Sequence, residues 1–207
     1  MKIISTNIGR IREVNWKGRK IVTGIFKEPV HEALFLGKRG VNKDEVADQK
    51  VHGGSDKACY LYSADCYPFW KEKSPDKKWN WGIFGENLTV EGLDEGNIRI
   101  GDIYKIGEAK VQVSQPRLPC YKLGMRFDSS TIVKEFLKSP YPGVYIRIIE
   151  EGLVKTGDRM ELIESNTSGM TVREVYSLFS SNKKNAELKE LACEQEFLAE
   201  GIKKDLR

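Results

Sequence analysis

Ile98-Arg99-Ile100-Gly101-Asp102-Ile103-Tyr104-Lys105-Ile106, followed after Gly107-Glu108-Ala109 by Lys110-Val111-Gln112-Val113-Ser114, is the stretch that decides the fold class. Both runs are rich in β-branched and aromatic residues and are bounded by turn residues, so both read as strands. The same composition recurs at residues 2–8, 20–26, 144–150 and 159–163. The spacing is short and irregular, with no alternation of strand and long helix. That argues against a doubly wound parallel sheet and for a mainly β fold, an antiparallel β-barrel with a few helices.

Two helices are expected to interrupt the strands. One covers 63–73, with regular helix starting near Pro68, which lacks a backbone donor. The other covers 130–138 and stops before Ser139-Pro140-Tyr141-Pro142. After Glu164 the pattern changes. Ser165-Asn166-Thr167-Ser168-Gly169 reads as a polar linker. Thr171-Val172-Arg173-Glu174 has the spacing of a capping box, which predicts a helix over 172–179. Further short helices are expected over 186–191 and 194–199, with Gly201 as the C-cap. The expected division is a barrel domain over 1–164 and a three-helix C-terminal domain over 169–207. The tail is too small to be stable alone, so it must dock on the barrel or on a second subunit.

The chain has 207 residues, enough for one main domain with a full core. With 40% hydrophobic and 31% charged residues it is an ordinary globular composition and not a disordered one. No apolar run approaches the ~20 residues that cross a bilayer. The N-terminus, MKIISTNIGRIREV, has no long apolar core and no cleavage site of the secretory kind, so a cytoplasmic location is expected. The net charge is +4 and dispersed: Lys77-Lys78 and Lys183-Lys184 are only pairs. Nucleic-acid binding wants a clustered stripe, so a small anionic ligand fits better. The cysteines are Cys59, Cys66, Cys120 and Cys193, none in a CxxC pair, which argues against structural zinc.

Three segments carry chemistry. In Val51-His52-Gly53-Gly54-Ser55-Asp56-Lys57-Ala58, the glycines permit a close backbone approach and Lys57 adds charge; an ordinary strand-connecting turn has the same spacing. In Gly82-Ile83-Phe84-Gly85-Glu86-Asn87-Leu88-Thr89, Asn87 offers an amide and Glu86 a carboxylate that would orient a base; again a plain turn fits as well. In Gln115-Pro116-Arg117-Leu118-Pro119-Cys120-Tyr121-Lys122, a strand ends at Ser114 and two prolines stiffen the segment beyond it. Cys120 then sits between Arg117 and Lys122, cations that favour a thiolate, a nucleophile or soft metal ligand. A buried cysteine acting as a small hydrophobe is the other reading, and both stand on spacing alone. Cys59 lies in an apolar run and reads as core; Cys66 and Cys193 read as packing residues.

Together these segments resemble the MOSC domain family (molybdenum cofactor sulfurase C-terminal domain), in its YiiM-like branch. The stretches that carry the resemblance are Thr23-Gly24-Ile25-Phe26-Lys27, Ala47-Asp48, His52-Gly53-Gly54 with Asp56-Lys57-Ala58, Phe84-Gly85-Glu86-Asn87-Leu88, Ile100-Gly101-Asp102, Gln112 to Arg117 with Pro119-Cys120, and Gly157-Asp158. The tail resembles the three-helix domain of that branch. The resemblance implies a β-barrel with one pocket, a molybdenum cofactor (Mo-molybdopterin), and Cys120 as the molybdenum ligand. It implies reduction of N-hydroxylated substrates such as 6-hydroxylaminopurine, with electrons from a separate reductase protein.

On that basis Cys120, Arg117 and Lys57 are the expected catalytic residues. His52, Gly53, Gly54, Lys57, Asn87, Arg117 and Cys120 are the expected cofactor contacts. Arg117 would grip a phosphate or oxo group through its planar fork. The rival reading is a carrier that holds the cofactor or a persulfide on Cys120 without turnover. A homodimer through the tail is a further expectation. One departure stands out: Val41-Asn42-Lys43-Asp44 has Lys43 where the branch has glycine, so the turn is expected to be reshaped if that glycine needs positive φ.

Overall fold

The computed structural model describes residues 1–180 and 186–207; the Lys183-Lys184 pair lies outside the described residues. The chain opens with β1 (Lys2–Gly9), a hairpin of β2 (Arg12–Trp16) and β3 (Arg19–Thr23), then β4 (Lys27–Val30), β5 (Leu34–Gly37) and β6 (Gly40–Val41). A short helix α1 (Gln49–His52) leads to β7 (Cys59–Ser63), α2 (Tyr67–Lys73), β8 (Leu88–Glu91), β9 (Ile103–Ile106) and β10 (Ala109–Pro116). Next come α3 (Tyr121–Phe127), α4 (Ile132–Lys138), β11 (Val144–Glu150), β12 (Gly152–Val154) and β13 (Met160–Glu164). The tail holds α5 (Val172–Ser180), α6 (Ala186–Glu194) and α7 (Glu200–Leu206).

The architecture is mainly β. The principal sheet has eight strands in the order β13-β9-β10-β11-β7-β8-β1-β4. Its ladders are antiparallel except for β7–β8, which is parallel and makes the sheet mixed. Lys2 also bridges Arg159, the Ile3 N–H donates to the Asp158 carbonyl at 2.9 Å, and the Met160 N–H donates to the Met1 carbonyl at 3.0 Å. The start of β1 therefore meets the lead-in to β13, and the sheet curls round on itself.

β7, Cys-Tyr-Leu-Tyr-Ser, is buried at every position. Its side chains alternate between two cores, as strand geometry requires. Cys59 and Leu61 join a large aliphatic core with Ile3, Leu88, Val111 and Ile146. Tyr60 and Tyr62 join an aromatic core with Trp70, Phe84 and Phe136 between β7, α2 and α4. The tail feeds the aliphatic core through Val172 and Val175 of α5, Leu198 of the turn before α7, and Ile202 and Leu206 of α7. The capping box forms as its spacing predicts: the Thr171 N–H donates to Glu174 Oε2 at 2.8 Å, and the Glu174 N–H donates to Thr171 Oγ1 at 3.1 Å.

Several boundaries differ from the sequence reading, each for a packing reason. The strand expected over 20–26 ends at Thr23, because a Cβ on Gly24 would lie 1.9 Å from the Glu45 carbonyl oxygen; the chains cross too closely for a ladder. The strand expected from Ile98 begins at Ile103, since Gly101 turns the chain at φ 92°. β10 runs to Pro116, beyond Ser114. Gly201 is inside α7 and caps nothing; the turn before α7 is pinned by the Ala199 N–H on the Ser114 carbonyl at 3.2 Å. The polar stretch after Glu164 is held down as well: the Asn166 N–H donates to Asp102 Oδ1 at 2.8 Å.

Candidate functional site

Two loops meet at one end of β10. The first carries α1 and residues 53–57. Asp48 caps α1, its carboxylate accepting the Val51 N–H at 3.1 Å. Gly53 is required by closeness: a Cβ there would lie 2.8 Å from the Gln49 carbonyl oxygen. Its N–H closes the helix on that carbonyl at 3.2 Å, so this donor is already used. Asp56 anchors the loop, because Arg147 Nε donates to its Oδ1 at 2.5 Å and Ser114 Oγ donates to its carbonyl at 2.6 Å. Lys57 Nζ folds back onto the Val51 carbonyl at 2.7 Å. The second loop leaves β10 at Pro116, buries Arg117, and reaches Cys120, the residue before α3.

Between these loops lies a cavity of about 320 Å³. His52, Gly53, Lys57, Asn87, Arg117 and Cys120 all line it; Gly54 does not. Cys120 is half-buried, and its Sγ lies 3.9 Å from His52 Nε2. Cys59 and Cys66 are buried elsewhere, and burial pushes both thiols up, Cys66 to about 12. The wall is cationic. Lys27, Arg39, Lys57, Arg117 and Lys122 face the cavity against the carboxylates Asp44 and Glu45. Lys27 is paired with Asp44 at 2.6 Å, and Glu45 is turned to Arg10 and the Ile11 N–H. Arg39, Lys57, Arg117 and Lys122 therefore leave an excess of positive charge.

Arg117 is 6% exposed, and its Nη1 has no hydrogen-bond partner. Its guanidinium lies 5.0 Å from the Tyr60 ring centre and 5.2 Å from that of Phe136. Burial opposes its charge, but Tyr60, Tyr145 and Cys120 outweigh that and hold its pKa above the ordinary value. His52 is pushed the other way, down to about 4, first by burial and then by Lys122, Lys57 and Arg117, with Asp48 opposing. It is a neutral ring at pH 7.

Sequence reasoning missed Lys27 and Asp44 as a unit. The Asp44 carboxylate accepts from Lys27 Nζ at 2.6 Å, from Asn87 Nδ2 at 3.0 Å and from the Gly9 N–H at 2.7 Å. Asn87 Oδ1 also accepts the Tyr60 N–H at 3.3 Å, so its amide is largely taken up in holding Asp44 and β7. The turn before Asp44 is not reshaped by its lysine, because Lys43 itself adopts φ 64°. Lys27 stands at the end of the Thr23-Gly24-Ile25-Phe26-Lys27 stretch, the one sequence signal that marked it.

Glu86 orients no base in the cavity. It is fully buried and accepts from Tyr67 Oη, from the Gly82 N–H at 2.8 Å and from Thr89 Oγ1 at 3.0 Å.

Among the described residues no group of three or more His, Cys, Asp or Glu side chains could hold a bare metal ion. What the cavity offers is one accessible thiol, a buried guanidinium with an unused donor, and surplus lysines. That donor set suits an anionic prosthetic group that brings most of its own metal ligands and takes one soft sulfur from the protein.

A β-dominated fold with such a cavity defines a class: the MOSC domain profile matches residues 48–161, and the chain belongs to the MOSC domain family. It is 42% identical over 171 residues to YflK of Bacillus subtilis (strain 168), covering 83% of this chain and 77% of that one. To the protein YiiM of Escherichia coli (strain K12) it is 39% identical over 158 residues, 75% of this chain and 70% of that one. It also matches, at 33% identity over 165 residues and 78% of this chain, 29% of a longer Gibberella moniliformis (strain M3125 / FGSC 7600) protein named a reductase. The crystal structure of YiiM from Geobacillus stearothermophilus superposes with a TM-score of 0.83 at 28% identity, covering 99% of this chain and 96% of that one. MOSC domains are associated in general with molybdenum cofactor binding. Among the described residues no helix is long and apolar enough to cross a membrane.

Proposed function

We propose that this protein is an oxidoreductase that takes a molybdenum cofactor on the Cys120 thiolate and reduces small N-hydroxylated substrates. The observation that carries the reading is the pairing, in one cavity, of a half-buried thiol with a buried arginine whose Nη1 is unused. A buried donor left unpaired costs about 1–3 kcal/mol, which a bound anion would recover. Family membership and the reductase-named relative support the same class.

Each residue has a part. Cys120 supplies the single protein sulfur. Arg117 is held rigid by Pro116, Pro119 and the flanking Tyr60 and Phe136 rings, and its fork offers hydrogen bonds to a phosphate or oxo group. Lys57 and Lys122 add positive charge at the wall. The Lys27–Asp44 pair fixes part of the wall, is tied to β7 through Asn87, and leaves Asp44 facing the cavity. His52, neutral at pH 7, closes the side next to the Cys120 sulfur without adding charge. The bound cofactor supplies the two-electron chemistry on the N–O bond. In the net reaction the hydroxylamine takes up two electrons and two protons and leaves as amine and water. The electrons come from a separate reductase protein.

The test is turnover. Protein purified from cells that make the cofactor is mixed with 6-hydroxylaminopurine and a chemical electron donor, and adenine is measured. The expected result is adenine formation by the wild type and none by Cys120→Ser. Equal activity in both would remove Cys120 from the reaction. Cofactor-loaded protein with no turnover under any donor would make it a carrier.

A further inference from the structure

The cavity wall is linked to a second surface pocket by oxidisable side chains placed end to end. Tyr145 and Tyr60 line the cavity, with ring centres 5.0 Å apart. Tyr60 lies 6.2 Å from Tyr62, its same-face neighbour on β7. Tyr62 lies 6.1 Å from Tyr67 at the start of α2. Tyr67 lies 4.5 Å from Trp81 and 6.0 Å from Trp79. Tyr67, Trp79 and Trp81 line a separate surface pocket, where both indoles are partly exposed.

Packing alone does not ask for this composition. Tyr60, Tyr62 and Tyr67 are each 2% exposed or less. A buried hydroxyl costs free energy unless it is bonded, and phenylalanine would fill the same space. Here every one of the three hydroxyls is bonded. Tyr60 Oη donates to the Pro142 carbonyl at 2.9 Å, Tyr62 Oη accepts from Trp70 Nε1 at 2.6 Å, and Tyr67 Oη donates to the Glu86 carboxylate. The last is a built-in proton acceptor for a tyrosine that loses an electron.

We propose that this Tyr/Trp chain carries oxidising equivalents out of the cavity to the surface indoles, sparing the Cys120 sulfur. The oxidant is a hydroxyl- or peroxyl-class radical formed in the cavity. It takes one electron from Tyr145 or Tyr60 and one proton from cavity solvent. The electron vacancy then moves outward, each ring being restored by the next, with the Tyr67 phenolic proton passing to Glu86 and back. At the surface, Trp79 or Trp81 gives up the electron and releases its indole proton to water. A small thiol then donates one hydrogen atom and restores the indole. One electron crosses the chain, one proton is consumed inside and one is released outside. The route needs only an oxidant in the cavity, so it stands apart from which cofactor is bound.

The experiment uses the full, metal-free chain with Cys193→Ser, Trp16→Phe and Trp70→Phe, which leaves Trp79 and Trp81 as its indoles, and a ruthenium-polypyridyl photo-oxidant coupled to Cys120. After flash-quench, transient absorption and freeze-trapped electron paramagnetic resonance identify the radical. The expected result is a neutral indole radical in this background. Tyr62→Phe, which keeps the ring volume, loses the indole signal and leaves a longer-lived tyrosyl radical near the cavity. The Trp79→Phe, Trp81→Phe double variant, confined to the outer end, ends the signal on tyrosine. Equal indole yield with and without Tyr62→Phe, or no indole radical in the parent, overturns the proposal.

Discussion

His52 gives the most quantitative test of the cavity's electrostatics. Its pKa is set down from 6.5 to about 4 by burial and by Lys122, Lys57 and Arg117. At about 1.36 kcal/mol per pH unit, that gap corresponds to about 3 kcal/mol of preference for the neutral ring. The ring is only half-buried, so solvent screening leaves roughly half of that as a contribution to stability. The folded value is depressed, so the contribution is full above pH 6.5 and is lost as pH falls from 6.5 through 4. The perturbation is Lys122→Met. Burial is the largest cause and Lys57 and Arg117 remain, so the variant recovers less than half the gap, a rise of roughly half to one pH unit. The assay is an imidazole NMR titration of metal-free protein. The chain has two histidines, and His31→Gln assigns the resonances. A wild-type His52 titrating at 6.5 or above, or one unmoved by Lys122→Met, would refute the reasoning.

Three further outcomes rest on individual contacts. Burial pushes Glu95 up to about 7, although its carboxylate accepts the Gly143 N–H at 2.9 Å. Its raised pKa favours the fold fully below 4.5, and that contribution fades as pH rises through 7. Glu95→Gln should therefore gain stability relative to wild type between pH 5 and 8, by up to about 3 kcal/mol in urea melts; a pH-independent difference would contradict this. Asp44→Asn leaves the Lys27 charge unpaired at 10% side-chain exposure. Breaking such a pair costs about 3–5 kcal/mol, so a loss under about 1 kcal/mol in the same melts would mean the pair is solvated. Lys43→Gly relieves a side chain at φ 64° and sacrifices only an exposed contact to Glu32. It should raise stability by about 0.5–1 kcal/mol, and a clear fall would show that the lysine holds the turn.

Sequence reading worked where the signal was local. The capping box at Thr171, the strand over 144–150 and the core placement of Cys59 need only nearest-neighbour chemistry, and each is found. It failed where distant segments decide the outcome. β7 is apolar at successive positions, so its alternation between two cores has no visible period in the sequence. Gly24 ends β3 because the Glu45 backbone crosses it, which no local pattern records. α3 comes directly after Cys120 and carries a mid-helix glycine, Gly124, whose backbone approaches Ser129. In the cavity the motif glycines and Arg117 were visible as residue types. Lys27 and Asp44 are paired across a sequence gap, so their union is a property of the fold alone.

Molybdenum content per chain tests the central claim most directly. Wild-type protein and Cys120→Ser are purified from cofactor-making cells, beside wild type from cells that cannot make the cofactor, with a known molybdoenzyme as loading control. The account requires molybdenum and pterin in the first sample and near-background amounts in the other two. Metal retained at wild-type level after Cys120→Ser, or absent from the wild type while the control loads, would contradict it.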